Sequence, residues 1–339
     1  MKTLYLHIGV HKTGSTSIQD FLFKNAKLLE NQGYFYPTGG SYYHRPSSSQ
    51  SLLALSLLEK KPSHLSNIIF TKAGCIKDIQ KDIEGSRSEN IIVSSEHFRH
   101  MNSLDQIIEL KNVFLPVVDY IKVIVYLRRQ DLVVESAWTQ KIKTGSLSIS
   151  FEDYVDYTID FADKVYDHFD YNGLLENFSK VFGVDNLFVR VFEKGQLHQG
   201  CVVMDFLNLI GIKQLKDSIK RLNEAPSIER IEVIRSIVGK VESQEARAAF
   251  IRLLKFVPLQ LDESKYSLFS NEARENYLRR YKESNAKVAK NFLHREDEVL
   301  FYEPCKNLYP VYPGLSNARI NEISDVIFSF LGYSKNIKK

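Results

Sequence analysis

The chain of 339 residues is 44% hydrophobic and 25% charged, which is typical of a globular protein with one large α/β domain, or with a core and a second lobe. Its formal net charge of +4 suits an anionic ligand but argues against the dense basic surface of a nucleic-acid-binding protein. Its three scattered cysteines, Cys75, Cys201 and Cys305, form no CxxC pair and predict buried thiols rather than disulfides or a zinc site.

Four short apolar runs are separated by stretches of helical periodicity. Runs that are apolar on both faces and alternate with helices indicate a parallel sheet covered by helices. We therefore predict an α/β fold with a central parallel sheet flanked by helices. The strands are expected at Thr3–Gly9, Asn90–Ser95, Ile121–Leu127 and Asn186–Phe192.

The pattern changes near Pro226, after which long helical segments follow without a clear strand. These segments are Ile228–Val257 and Glu272–Phe292. We expect an α/β core over residues 1–225 and a C-terminal helical lobe over residues 226–339 that packs on the core, or one continuous domain. The segment Gly39–Pro62 is rich in Ser, Tyr and Pro and is predicted to be a mobile loop.

The N-terminus does not have the pattern of a signal peptide, because glycine-rich and charged sequence follows the first apolar run at once. No apolar run approaches the roughly 18 residues of a membrane span. We expect no transmembrane segment and a cytoplasmic location, unless the chain is a fragment of a longer, anchored protein.

The most informative stretch is GVHKTGSTS, residues 9–17, between the first strand and the first helix. A glycine-rich turn at this place gathers backbone N–H groups and the positive helix end around one anion. Lys12 adds a charge, and Gly14 permits a close backbone approach or a positive φ. Helix capping would account for one hydroxyl, but the loop has four. These hydroxyls belong to Thr13, Ser15, Thr16 and Ser17.

Gly9 and Gly14 have the spacing of a Walker A motif, but Ser15 stands where its lysine should follow. The stretch instead resembles the sulfotransferases that use adenosine 3′-phosphate 5′-phosphosulfate (PAPS), whose 5′-phosphosulfate loop has the form [PH]-K-x-G-[ST]-[ST]. The resemblance implies that Lys12 contacts the 5′-phosphate and the oxygen that bridges to sulfur. The implied donor-binding residues of the loop are His11, Lys12, Thr13, Gly14, Ser15, Thr16 and Ser17.

A second motif follows the strand Ile121–Leu127, where Arg128 is followed eight positions later by Ser136. In the same family, an arginine and a serine with this spacing bind the 3′-phosphate of the donor. A planar guanidinium and a hydroxyl on two rigid elements suit one phosphate. The family often has R-N-P after the strand, so Arg129 is an alternative, although the spacing favours Arg128.

The stretch FVRVFE, residues 188–193, and an apolar helix ending in FLNLIG, residues 206–211, resemble the late strand and helix of bacterial carbohydrate sulfotransferases. The resemblance thus covers residues 1–212 and implies a P-loop-like sulfotransferase fold. It implies sulfuryl transfer from PAPS to a hydroxyl or amine of an acceptor, with adenosine 3′,5′-bisphosphate as the product and no required metal. A carbohydrate acceptor is favoured only by this resemblance, and small alcohols, lipids and tyrosyl peptides are alternatives.

A general base must take the proton of the acceptor, and His or Glu is the usual choice. Glu96 and His97 end the second predicted strand, whose carboxyl end should face the ligand crevice. We expect Glu96 to be the base, with His97 and His44 as alternatives, and the two neighbours to point in opposite directions. His7 is expected to be a buried, hydrogen-bonded histidine.

Two other functions remain open. A P-loop kinase or related phosphotransferase would need a lysine directly after Gly14 and an acidic residue at a strand end, whereas Asp131 lies beyond Arg128. A binding module that has lost turnover is the second alternative. Tyr34, Tyr36, Tyr42 and Tyr43 could stack on sugar rings or could pack internally.

Overall fold

The computed structural model describes residues 1–10, 12–41, 49–58, 70–164, 167–212, 226–238, 241 and 243–330. Strands and helices alternate along its first half, and helices follow. The strands are β1 Thr3–Ile8, β2 Tyr34–Phe35, β3 Asn90–Ser95, β4 Tyr120–Leu127 and β5 Leu187–Val191. The helices are α1 Ser15–Lys24, α2 Ala26–Glu30, α3 Ser51–Leu57, α4 Lys72–Gly85, α5 Leu104–Phe114, α6 Gln130–Lys143, α7 Phe151–Lys164, α8 Tyr171–Phe182, α9 Val202–Leu209, α10 Ile228–Val238, α11 Gln244–Leu254, α12 Asn271–Arg279, α13 Lys282–Leu293 and α14 Asn317–Phe330.

The five strands form one parallel sheet with the order β2-β3-β1-β4-β5. This confirms the predicted α/β fold with a central parallel sheet flanked by helices. The four predicted strands have their ends within one residue of the observed ones. The prediction omitted β2, because two residues are too few to give a periodic signal.

Both faces of the sheet are covered, which explains why its strands are apolar at nearly every position. Leu4, Leu6 and Ile8 face one core, which includes side chains of α3, α4, α5, α8 and α13. Ile92 and Ile124 face the other core, together with α1 and α9. Fully burying one such side chain contributes about 1.5–3 kcal/mol.

The chain divides into two compact units, and neither is contiguous in sequence. The first unit comprises Met1–Arg129, His168–Leu222 and Tyr281–Glu303. The second unit comprises Gln130–Asp167, Asn223–Arg280 and Pro304–Lys339. The predicted division between residues 225 and 226 therefore does not describe the observed units.

The reason is long-range packing that no local pattern reveals. Val288 and Ala289 on α13 are completely buried in the core of the sheet, which brings that helix into the first unit. In the second unit, the buried Arg274 on α12 pairs with Asp131 on α6, 143 residues away in sequence. The sheet and the helices thus recruit segments from both halves of the chain.

Each of the two long predicted helical segments is two helices. Ser243 caps α11, since its Oγ accepts a hydrogen bond of 3.1 Å from the N–H of Ala246. The second segment is interrupted before Lys282, and α12 and α13 belong to different units. The predicted loop Gly39–Pro62 contains α3, all seven residues of which are buried, while residues 42–48 and 59–62 lie outside the described residues.

Along the described residues, every helix is too short or too polar to cross a lipid bilayer. Cys75 is buried, as predicted, whereas Cys201 and Cys305 are partly exposed, and none of the three forms a disulfide.

Candidate functional site in the first unit

Three neighbouring strands carry the predicted site residues at their carboxyl ends. The loop that contains Lys12 follows β1, Glu96 follows β3 and Arg128 follows β4. Because β1 lies between β3 and β4, the chain crosses from one side of β1 to the other between these two strands. Ligands of open parallel sheets bind at such a point, outside the carboxyl ends of the strands.

The loop between β1 and α1 has an unusual backbone. Lys12 has a φ of 67° and Gly14 a φ of 78°. A lysine in the left-handed region costs about 1–2 kcal/mol, so the loop holds a conformation that an unconstrained chain would avoid. Left-handed residues that alternate with residues of negative φ turn backbone N–H groups toward one side, an arrangement that can bind an anion.

The hydroxyl groups of the loop divide into two pairs. Thr13 is completely buried, and its Oγ1 donates a 2.6 Å hydrogen bond to the carbonyl of Val10. Ser15 is also buried, and its Oγ lies 3.4 Å from that of Thr13. These two side chains close the loop internally, while Thr16 is exposed and Ser17 is half-buried. His11 lies outside the described residues.

Gly14 has no room for a side chain. A Cβ there would lie 2.7 Å from Cγ1 of Val202 on α9 and 3.2 Å from Cε2 of Phe192. Helix α9 is fixed to the sheet by Asp205, whose carboxylate accepts hydrogen bonds of 2.9 Å from Nε of Arg190 and from the hydroxyl of Tyr126. The side chains behind the loop between β1 and α1 are therefore held by the sheet.

The charge of Asp205 is maintained despite its surroundings. Burial alone opposes ionisation, but the hydrogen bonds from Arg190, the N–H of His198 and Tyr126 outweigh it and lower the pKa of Asp205. Sequence reasoning missed the ion pair of Arg190 with Asp205, because these residues are more than ten positions apart on different elements. It also missed Val202, which lies beside Gly14 only in the folded chain.

The two adjacent arginines have different partners. Arg128 donates from Nη1 a 2.8 Å hydrogen bond to the carbonyl of Lys12, and its guanidinium lies 5.6 Å from the centre of the Phe192 ring. Arg129 is buried and donates from Nη1 to the carbonyl of Glu303, at 2.8 Å. Arg128 therefore reaches the loop between β1 and α1, and Arg129 anchors the segment around Glu303.

Sequence reasoning did not identify Arg99 and Tyr171. Arg99 is buried in the short 3₁₀ turn Glu96–His100 that follows β3. Tyr171 begins α8, and its hydroxyl donates a 2.6 Å hydrogen bond to the carbonyl of Arg128. Burial raises the pKa of Tyr171, against the positive charges of Arg99 and Arg128. Its place in the sequence, shortly after the apolar strand β3, is the signal that could have identified Arg99.

Glu96 lies directly against the loop between β1 and α1. A Cβ on Gly9 would be 3.1 Å from Cγ of Glu96 and 2.5 Å from Oγ of Ser15, so only glycine fits there. The ring of the neighbouring His97 lies 6.2 Å from that of His100, which in turn is 5.2 Å from the ring of His168. His44 lies outside the described residues.

Buried polar side chains connect the site to the sheet below it. His7 is completely buried, and its Nδ1 lies 2.8 Å from Oγ of Ser94, which also accepts a 3.0 Å hydrogen bond from Nε2 of Gln19. Gln50 accepts a 2.8 Å hydrogen bond from the N–H of Ser94. The predicted role of His7 agrees with these contacts, which join β1, β3 and α1.

Burial lowers the pKa of His7 from 6.5 to about 4, although the negative charge of Glu96 acts in the opposite direction. The unfolded chain therefore binds more protons than the folded chain between these values, and stability is lost as the pH falls through that window. When the pH falls from about 7 to about 5, protonation linked to His7 should lower the free energy of unfolding by about 2 kcal/mol.

Urea titrations followed by circular dichroism should show this loss in the wild type and a smaller loss in His7→Gln. Glutamine keeps a polar side chain but cannot be protonated in this range. Equal pH dependence in both proteins would contradict the assignment of a neutral, buried His7.

Ser136 is half-buried on α6, which belongs to the second unit, whereas Arg128 belongs to the first. The pairing of Ser136 with Arg128 on one phosphate therefore stays a prediction. Among the described residues, no group of three or more His, Cys, Asp or Glu side chains is placed to hold a metal ion.

Comparison with known proteins gives three findings. No family model matches the chain. An uncharacterized protein from Archaeoglobus fulgidus is 30% identical over 226 residues, which are 62% of this chain, and the match spans 58% of that protein's length. The crystal structure of a sulfotransferase from Alicyclobacillus acidocaldarius is similar with a TM-score of 0.44 and 14% identity, over 74% of this chain and 96% of that one.

Proposed function

We propose that the chain transfers a sulfuryl group from PAPS to a hydroxyl or amine of an acceptor, and that the acceptor is a carbohydrate. In this proposal the loop from Lys12 to Ser17 binds the 5′-phosphosulfate, and Arg128 with Ser136 binds the 3′-phosphate. Glu96 is the general base.

The hydrogen bond between Arg128 and the carbonyl of Lys12 carries the proposal. The sequence predicts these residues in two separate anion-binding motifs, 116 positions apart, and the bond joins them at one edge of the sheet. A donor with phosphates at both its 5′ and 3′ positions requires two adjoining cationic sites of this kind. Phe192 supports both, because its ring fills the space beside Gly14 that a Cβ would need and lies under the guanidinium of Arg128.

The shape of the loop fits a phosphosulfate. The left-handed backbone of Lys12 and Gly14 makes a concavity of N–H groups, and Thr13 and Ser15 hold it closed. Thr13 and Ser15 would thus contribute through backbone N–H groups, whereas Thr16 and Ser17 can also offer hydroxyls.

In the reaction, the acceptor oxygen or nitrogen forms a bond to sulfur while the bond from sulfur to the 5′-phosphate oxygen breaks. The electron pair of the broken bond stays on adenosine 3′,5′-bisphosphate, and the Lys12 ammonium stabilises that negative charge. The proton of the acceptor passes to the carboxylate of Glu96. Positioning and charge stabilisation by these groups supply the catalysis.

The carbohydrate part of the proposal rests on the resemblance of residues 188–193 and 206–211. Two of the four tyrosines that could stack on a sugar have packing roles. Tyr36 is buried, and the hydroxyl of Tyr34 donates a 2.5 Å hydrogen bond to the carbonyl of Ile210. Tyr42 and Tyr43 lie outside the described residues. Mass spectrometry of a panel of glycans, alcohols and tyrosyl peptides incubated with PAPS would identify the acceptor class.

The donor assignment predicts that adenosine 3′,5′-bisphosphate binds at least about tenfold more tightly than adenosine 5′-phosphate. Without the 3′-phosphate, the guanidinium of Arg128 loses a charged hydrogen-bonding partner, which costs about 1.5–3 kcal/mol. Isothermal titration calorimetry on the full chain measures both affinities directly.

Arg128→Ala provides the matched control, because it should remove most of the difference between the two nucleotides. Equal affinities in the wild type would overturn the donor assignment. Preferential binding of ATP with magnesium would instead favour the phosphotransferase alternative.

A further inference from the structure

Three helices of the second unit surround a cavity of about 330 Å³. One wall is a face of α10, with Arg230, Val233 and Ile234 at helical spacing. The opposite wall is a face of α11 that includes Ile251. The C-terminal end of α6 contributes Lys143.

The helix α6 approaches α11 closely because it ends at a glycine. Gly145 has a φ of 71°, and a Cβ there would lie 3.0 Å from Cδ1 of Ile251 and 3.1 Å from Cβ of Arg247. The close approach brings Lys143 and Thr144, which are exposed, into the lining of the cavity. The cavity is therefore a consequence of helix packing within this unit.

The floor of the cavity is apolar. Val233, Ile234, Ile251 and Leu254 line it and are each less than 10% exposed. Their side chains therefore face an apolar space, which would favour a hydrocarbon group over water. The volume lies near the lower end of the range of about 300–1,000 Å³ for small-molecule sites.

The rim of the cavity is cationic. Four of the twelve lining residues are Lys or Arg and none is Asp or Glu. Within the described part of the chain, none of the four forms an ion pair, and the acidic residues of α10 are engaged elsewhere, Glu229 with Arg319 and Glu232 with Arg235. The four cations are Lys143, Arg230, Arg252 and Lys255.

We propose that this cavity binds a single-chain amphipathic anion, with its alkyl chain on the apolar floor and its carboxylate, sulfate or phosphate group at the cationic rim. A sugar would leave its hydroxyl groups without partners on this floor. A bound anion would also supply a counter-charge to the four cations. The site lies within the second unit and does not depend on the proposed sulfuryl transfer.

Three ten-carbon probes test the proposal on the full chain. By calorimetry below the micellar concentration, decanoate should bind with one site per chain and at least about tenfold more tightly than 1-decanol. Decyltrimethylammonium should not bind. Raising the ionic strength should weaken the binding of decanoate but not that of decanol, because salt screens exposed charges.

Two variants locate the binding. The double variant Arg252→Gln with Lys255→Gln removes two exposed charges and should lower the affinity for decanoate by roughly three- to tenfold. Ala248→Phe should fill the cavity and abolish binding of decanoate and decanol alike. Arg279→Gln, at an exposed arginine on α12 of the same unit, is the matched control and should bind as the wild type does.

Decanoate that does not bind, or that binds no better than decanol, would overturn the proposal. An equal loss in Arg279→Gln would show a general charge effect and would also overturn it. If Ala248→Phe does not fold by circular dichroism, the double glutamine variant alone decides the outcome. None of these results bears on the binding of adenosine 3′,5′-bisphosphate.

Discussion

Lys12→Ala is expected to lower the rate of sulfuryl transfer by about 10²- to 10³-fold while weakening the binding of adenosine 3′,5′-bisphosphate by less than about tenfold. The charge of Lys12 matters most when the oxygen that leaves sulfur becomes negative, which happens in the transition state. Single-turnover rates with PAPS, compared with nucleotide affinity from calorimetry, separate the two effects.

The backbone of Lys12 requires a second variant. Because its φ is 67°, alanine at this position adds conformational strain as well as removing the charge. Lys12→Asn also removes the charge, but asparagine tolerates the left-handed region. Equal losses of rate in the two variants would assign the effect to the ammonium group, and recovery in Lys12→Asn would assign it to the backbone.

Arg128→Ala should have the opposite profile, with donor binding weakened by about 1.5–3 kcal/mol. The variant also loses the hydrogen bond that Arg128 donates to the carbonyl of Lys12. Arg128→Lys keeps the charge without the planar fork and should recover only part of the affinity. Interchangeable profiles for Lys12→Ala and Arg128→Ala would show that this division of roles is wrong.

The strands and the loop between β1 and α1 could be predicted because their signals are local. The strand Asn90–Ser95 is predicted with its observed ends, since an apolar run bounded by polar residues determines it within a few positions. The loop from Gly9 to Ser17 is recognisable for the same reason, as its glycines, lysine and hydroxyls are consecutive. Local sequence chemistry fixes both features.

The different partners of Arg128 and Arg129 could not be predicted from local sequence. Arg129 donates a hydrogen bond to the carbonyl of Glu303, 174 positions later. The segment that carries this carbonyl is held by Glu193, whose carboxylate accepts hydrogen bonds from the N–H groups of Tyr302 and Glu303. Three distant segments must therefore fold together before Arg129 has this partner.

The division of the chain into units depends on long-range contacts in the same way. The ion pair of Arg274 with Asp131 joins helices that are far apart in sequence. Asp131 is an acidic residue near a strand end, and a search for a magnesium ligand would consider it for that reason. Its partner in the structure is an arginine, and this partner could not be found from spacing alone.

Glu96→Gln is expected to reduce the rate of sulfuryl transfer by about 10²-fold or more, with little change in nucleotide affinity. The β3 strand that ends before Glu96 pairs with β1 up to the register of Ser95 with Ile8, so the side chain emerges beside the phosphate loop. Cγ of Glu96 lies at the edge of Gly9, and the residue is only half-buried. A carboxylate at this place can take a proton from an acceptor that approaches the sulfur.

Three observations distinguish a base from a residue that only supports the loop. Glutamine keeps the size of the side chain, so a supporting role would leave the rate nearly normal, whereas loss of the base should also remove the acidic limb of the pH–rate profile. His97→Ala is the matched control at the adjacent position and should keep a near-normal rate, since its ring packs toward His100. If Glu96→Gln is active and His97→Ala or His44→Ala is not, the base is that histidine, and the assignment of PAPS as donor stands independently on Lys12 and Arg128.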